Sequence, residues 1–430
     1  MPHHLAVGSL LLFAGLAHAP TGAAESAESA ESAEASAEAT RYLEVALDQI
    51  EKGSRVQLTD WIALRAKALA TISAAAARTT ADTYPAIRDA LATLGDKHAL
   101  LLDPDAAKRF NPPRATTGTG LLVAPDAIVA QVLPGSPAAM AGLALGDRVV
   151  AVAGGAAFAE LPRREFERLF RTGRRLDGST APLELRVSIG TAKPRGVKVP
   201  LAQFDEYQAP TGCMLDGGFG YVELPGVSSG PKAASYDDAL HELFGELDDG
   251  DLRGFIVDLR RNTGGTLWPM LAGVGPLVGE GKVGAFTSGH GGADWSYDAK
   301  LGIASSETYE LAKVAKPYPL LDDLPVAVLT GPLTAGFGEA IAVAFAGRDR
   351  ARRFGEGTRS QTTSNTQIPL ADGALLVLTV TVHADRHGTR YEDGIQPDEK
   401  VATDWSRFGA TEDPVIAAAS RWLESETDAR

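Results

Sequence analysis

The segment Val326-Ala-Val-Leu-Thr-Gly-Pro-Leu-Thr-Ala-Gly-Phe-Gly-Glu339 decides how this chain is read, because its apolar residues change spacing part-way along. Val326 to Leu329 form a continuous apolar run of strand length, Gly331-Pro332 breaks it, and helical spacing resumes from Ala335 to Phe345. The pattern predicts a buried strand, a tight turn and a helix. Such a unit aims the free N–H groups of the first helical turn, and the positive end of the helix dipole, at one point where negative charge is stabilised.

Upstream, Gly254-Phe-Ile-Val-Asp-Leu-Arg-Arg-Asn-Thr-Gly-Gly265 predicts a second buried strand running into a polar, glycine-rich turn. Gly264 and Gly265 leave backbone N–H groups open to a bound carbonyl, as an oxyanion hole requires. In this order the two segments resemble the S41 family, the tail-specific or C-terminal-processing serine peptidases. Phe354-Gly-Glu-Gly-Thr358, Leu370-Ala-Asp-Gly373 and Gly394-Ile-Gln-Pro-Asp398 match that family's C-terminal pattern, and the resemblance covers almost all of the chain after about residue 41. It implies an α/β fold with a ClpP/crotonase-like layered core, and the alternation of strand and helix patterns from residue 204 onward argues for α/β independently.

The departures from the family bear on chemistry. The resemblance places the nucleophilic serine three residues before the Glu that opens the helix, and Gly336 stands there. In the Ser-Lys branch the general base belongs at the position of Gln361, so neither member of that dyad is present. A second branch uses a histidine from an earlier segment, and Leu94-Gly-Asp-Lys-His98-Ala99 matches it, which makes His98 the candidate base although Ala99 replaces the usual hydroxyl. Thr334, Ser360 and Ser364 are hydroxyls near the expected site but offset from the nucleophile position.

Gly118-Thr-Gly-Leu-Leu-Val123 and Val129 to Val150, with a Pro-Gly turn, a short helix and Gly146-Asp147 before a further strand, resemble a PDZ domain over residues 115–203. The resemblance implies that Gly118, Gly120 and Leu121 receive a peptide C-terminal carboxylate while the peptide adds to the sheet edge. Phe166 and Leu169 would form the apolar wall of that groove.

Composition sets outer limits. A 430-residue chain with 44% hydrophobic and 22% charged residues reads as soluble, globular and divided into domains. A net charge of −14 argues against nucleic acid or an anionic membrane surface as the main partner. The single cysteine, Cys213, rules out an internal disulfide framework and reads as a buried small apolar residue. His290, His383 and His387 lack metal-ligand spacing and read as surface-loop histidines, so neither metal nor cofactor is expected.

The apolar run Leu5 to Ala17 followed by small residues predicts a signal peptide over residues 1–24, and the Glu-Ser-Ala repeat predicts an acidic spacer over 25–40. The mature protein is then expected to be exported, periplasmic or secreted, without stable membrane insertion. Residues 41–105 read as a helical region in which Tyr42, Val45, Leu47 and Ile50 face inward, and 204–430 as the S41-like core. Three functions fit: a binder of peptide or protein C-termini without hydrolysis, a serine peptidase with a relocated nucleophile, and a non-catalytic binder of apolar ligands.

Overall fold

A computed structural model describes residues 35–56, 60–110, 117–153, 160–175, 178–228, 231–248 and 250–428. The expected signal peptide, and the spacer up to residue 34, lie outside these residues.

Helices α1 (Ala37–Gly53), α2 (Trp61–Ala74) and α3 (Tyr84–Thr93) are followed by strand β1 (Leu100–Leu102) and helix α4 (Pro104–Phe110). Helix α1 starts ahead of residue 41 because the Ser36 hydroxyl accepts the Ala39 N–H and caps it. Its inward face carries Tyr42, Leu43, Ala46, Leu47 and Ile50, while Val45 points outward, 48% exposed.

The next segment builds a module with its own core: β2 (Leu121–Val123), β3 (Val129–Val132), α5 (Pro137–Met140), β4 (Arg148–Val152), α6 (Arg163–Thr172), β5 (Leu183–Ser188) and β6 (Arg195–Val199). Beyond it come β7 (Thr211–Leu215), β8 (Phe219–Glu223), α7 (Tyr236–Leu247), β9 (Gly254–Asp258), α8 (Leu267–Val278) and the meander β10 (Gly281–Ser288), β11 (Gly291–Asp298), β12 (Ile303–Ser306) and β13 (Tyr309–Lys313). The chain closes with β14 (Val326–Thr330), α9 (Phe337–Phe345), β15 (Ala351–Gly355), β16 (Thr363–Pro369), β17 (Leu375–Asp385), β18 (Glu399–Lys400) and α10 (Pro414–Asp428).

Two sheets organise the core. One runs β18-β15-β14-β9-β8-β7, parallel except for the antiparallel edge strand β7, and the other is the antiparallel set β1-β17-β10-β11-β12-β13 with β16 also paired to β17. Strands β9 and β14 are buried at every position, which explains their unbroken apolar runs: helices cover both faces. Residues of α7, α8 and α9 share one core with inward side chains of both sheets, and α10 covers the outer face of the parallel sheet through Val415, Ala419 and Leu423. Helices α1 and α3 pack on Leu376 and Leu378 of β17. With β1 paired to β17, the N-terminal helices pack on the core as one of its layers.

Cys213 corrects the sequence reading: it lies exposed on the edge strand β7, where only one side chain in two can face the core.

Candidate active site

The carboxyl ends of β9 and β14 carry the two loops that the sequence singled out, and their backbones are tied together. Ala335 donates its N–H to Asn262 O at 3.0 Å, and the Asn262 side chain donates to Leu224 O at 3.0 Å. Gly338 permits this approach, since a Cβ there would meet Asn262 Oδ1 at 2.6 Å and its carbonyl O at 2.7 Å. Ligand sites of open α/β sheets form in this location, outside the strand ends. Arg260, fully buried, locks the first loop from behind by reaching Asp258 at 2.6 Å and Asp413 at 2.7 Å.

Gly336 is the N-cap of α9, with φ 56° and ψ −119°. An L-residue is strained at such a φ, and glycine is not. The space beyond its Cα is open: a Cβ would have Gly264 Cα, at 4.0 Å, as its nearest neighbour. Glu339, fully buried, holds the turn. Its carboxylate accepts N–H groups from Gly336 at 3.0 Å, Ser360 at 2.9 Å and Gln361 at 2.7 Å, and also the Thr358 hydroxyl. Burial pushes its pKa above the ordinary carboxylate value, against these hydrogen bonds, which pull it down. Gln361 therefore stands at the site by its backbone, tied to the same carboxylate as Gly336.

The oxyanion assignment changes in one respect. Gly264 donates its N–H to Asn262 Oδ1 at 3.0 Å, an Asx-type turn that occupies the donor, whereas Gly265 keeps its N–H unbonded. The second open donor is Phe337 N–H, at the first position of α9, where a helix leaves its N–H groups without intrahelical partners. A Cβ at Gly264 would lie 3.5 Å from Phe337 N, so both loops converge on one point. The sequence pattern of a helix opening after Gly336 already contained this signal.

Thr334 and Ser360, two of the three hydroxyl candidates, are committed to other partners. Thr334 is buried, donates to Leu259 O at 2.8 Å and accepts the Gly331 N–H. Ser360, at φ 62°, donates to Asp393 O at 2.8 Å. Ser364 lies within β16, half-buried. His98 is half-buried, with Nε2 3.4 Å from Glu392 O. The turn Glu392–Gly394 thus touches His98 through one carbonyl and Ser360 through the next.

His383 is a second correction. It is 1% exposed within β17, beside Phe286 and Trp295 and stacked on Phe337, with ring centroids 6.2 Å apart and planes at 14°. Burial lowers its pKa to about 4, so it is neutral at physiological pH, and its buried Nδ1 has no hydrogen-bond partner. His241, by contrast, uses both: Nδ1 accepts the Tyr318 N–H at 2.7 Å and Nε2 bonds Ala272 O at 3.0 Å. His387 bonds Gly347 O at 2.8 Å from an exposed turn, and His290 is exposed. Among the described residues no cluster of His, Cys, Asp or Glu could hold a metal ion.

The module's glycine loop is more occupied than the sequence suggested. Gly118 donates to Ala202 O at 2.9 Å, Thr119 to Arg171 O at 2.9 Å, and Leu121 to the Thr119 hydroxyl at 3.1 Å, which leaves Gly120 N–H open. Phe166 and Leu169, 5% and 8% exposed, are core residues of the module and not an open wall, because α6 packs directly on β2. The Gly118–Leu122 segment and the Arg261–Gly265 loop face each other across a cleft of about 500 Å³.

Comparison with known proteins agrees with this architecture. Residues 218–401 match peptidase family S41. It is 27% identical over 340 residues to the carboxyl-terminal-processing protease of Synechocystis sp., spanning 75% of this chain and 72% of that protein. It is 28% identical over 217 residues to the nisin-resistance protein of Lactococcus lactis subsp. lactis, spanning 49% of this chain and 62% of that protein. The solved photosystem II D1 C-terminal processing protease shares the fold, with a TM-score of 0.53, 21% identity, and coverage of 85% of this chain and 93% of that one. No helix among the described residues is long and apolar enough to cross a membrane.

Proposed function

We propose that this chain is an exported S41-type protein that binds peptide or protein C-termini and does not cleave them through an acyl-enzyme. Gly336 carries the reading. Covalent catalysis needs an activated nucleophile at that turn, and glycine supplies none. In a catalytic unit of this kind loss of the nucleophile alone costs a factor of about 10⁶ in kcat. The surrounding hydroxyls do not replace it, since Thr334, Thr358 and Ser360 each donate elsewhere.

Binding is a separate matter from cleavage. The frame still offers Gly265 and Phe337 N–H groups to a carbonyl, and the Gly118–Leu122 segment, whose sequence resembles the glycine loop of a PDZ domain, lines the same cleft. Relatives named as carboxyl-terminal-processing proteases support peptide or protein ends as the ligand class. The apolar stretch near the N-terminus and the small residues after it support export, with the mature chain beginning near Glu25.

The test is labelling by a fluorophosphonate probe together with turnover of a peptide library. Wild-type protein is expected to show neither. Labelling that survives Gly336→Ala but disappears on replacing Ser360, Ser364 or Thr334 would replace this reading with a peptidase that uses a relocated nucleophile.

A further inference from the structure

The segment joining the module to the core folds back along the module's glycine loop. Gly118 and Ala202 exchange both backbone hydrogen bonds, at 2.9 and 3.2 Å, as a short antiparallel bridge. Two residues on, the ring of Phe204 lies against both glycines: a Cβ at Gly118 or at Gly120 would sit 3.3 Å from it. The Glu206 carboxylate completes the arrangement. Its Oε1 would be 3.2 Å from a Cβ at Gly118, and Oε2 is 3.6 Å from the Arg171 guanidinium.

An extended backbone pairing with a loop, an apolar ring seated beside it and a carboxylate next to a cation are the features by which an extended peptide end is held. Here the chain supplies all of them itself. We infer that Phe204 and Glu206 are an internal stand-in for a ligand, and that the seat formed by Gly118, Gly120 and Arg171 takes the free carboxylate of a peptide ending in an aromatic or large apolar residue. This inference rests on the proposed binding of C-termini and specifies where and how it occurs.

The occupant is held loosely enough to be displaced. Glu206 pairs with Arg171 at 55% and 51% side-chain exposure, and the neighbouring Asp205 pairs with Lys232 at 62% and 57%. Ion pairs so exposed add little stability. Withdrawal of Ala202 releases the Gly118 N–H to join the open Gly120 N–H, and Arg171 loses its internal partner. Gly118 and Gly120 also line the cleft that contains Gly264 and Gly265, so a seated peptide lies along the wall facing the Gly336 turn.

The experiment uses full-length protein and a fluorescein-labelled peptide ending in Leu-Ala-Gln-Phe, the sequence of residues 201–204, as free acid and as amide, read by anisotropy. A seat occupied by an internal competitor binds with an affinity reduced by the occupied fraction. The Phe204→Ala/Glu206→Gln double variant is therefore expected to bind the acid about 5- to 30-fold more tightly than wild type, the range that one or two kcal/mol of competition corresponds to. Glu206→Gln alone, an exposed change that leaves the fold untouched, should give a smaller gain in the same direction, and adding Arg171→Ala to the double variant should abolish the preference for acid over amide. Wild-type affinity in both linker variants, or retention of the acid preference without Arg171, would overturn the inference while leaving C-terminal binding intact. Failure of wild type and all variants to bind the acid would instead remove the binding function itself.

Discussion

Gly336→Ala and Gly336→Ser together separate the two reasons a glycine stands at the α9 turn. The backbone there has φ 56° and ψ −119°, and a non-glycine residue held in such a region costs about 1–3 kcal/mol. Steric conflict adds little, because an added Cβ meets nothing closer than Gly264 Cα at 4.0 Å. Both variants should therefore lose about 1–3 kcal/mol, by nearly equal amounts, in urea unfolding followed by tryptophan fluorescence. They should differ in chemistry. The serine hydroxyl lies beside the open N–H groups of Phe337 and Gly265, so Gly336→Ser is expected to gain slow fluorophosphonate labelling and a low level of peptide hydrolysis, with Gly336→Ala silent in both assays. An alanine variant as stable as wild type would refute the argument from backbone strain. A folded serine variant that never reacts with the probe would show that the frame around the turn does not support nucleophile chemistry.

Three further outcomes follow from buried and exposed groups. Asp237, buried in the first turn of α7, has its pKa raised to about 6 by desolvation, so its contribution is fully present below its ordinary value of 3.8 and is lost as pH rises through 6. Asp237→Asn should consequently flatten the fall in stability between about pH 4 and pH 6 and raise the unfolding midpoint at pH 7, and an unchanged slope in a pH series of urea melts would count against it. Arg260→Ala leaves Asp258 and Asp413 buried without their cation and should cost about 3–5 kcal/mol, measured in the same unfolding assay. Cys213, exposed on the edge strand β7, should react stoichiometrically with a thiol reagent in native buffer, and protection until denaturant is added would place it in an interface.

The parts of the fold that were legible in the sequence are those whose surroundings impose a simple pattern. Strands β9 and β14 are covered on both faces, so their residues are apolar without interruption, and the glycines after them mark turns. His383 was illegible for the opposite reason. Its neighbours Asp385 and Arg386 make the segment read as a loop, yet β17 continues to Asp385, and burial comes from Phe286, Trp295 and Phe337, far away in sequence. Cys213 misled because an edge strand exposes alternate positions whatever their polarity. The state of Gly264 N–H could not be read either, since it depends on which way the Asn262 side chain turns.

The turn at Gly336 keeps its shape without any side chain at the position where the resemblance implies a nucleophile. The turn at Gly336 is held by backbone contacts to Asn262 and by the Glu339 carboxylate, which gathers Gly336, Ser360 and Gln361 by their N–H groups. None of these contacts uses the side chain at position 336 or 361. The side chains at those two positions are therefore no part of what ties the loops together, whereas loss of Glu339 would leave three part-buried N–H groups without their acceptor. Gly336 itself serves the turn through its backbone conformation, at φ 56°, so what holds the loops is a set of backbone groups gathered on Asn262 and Glu339.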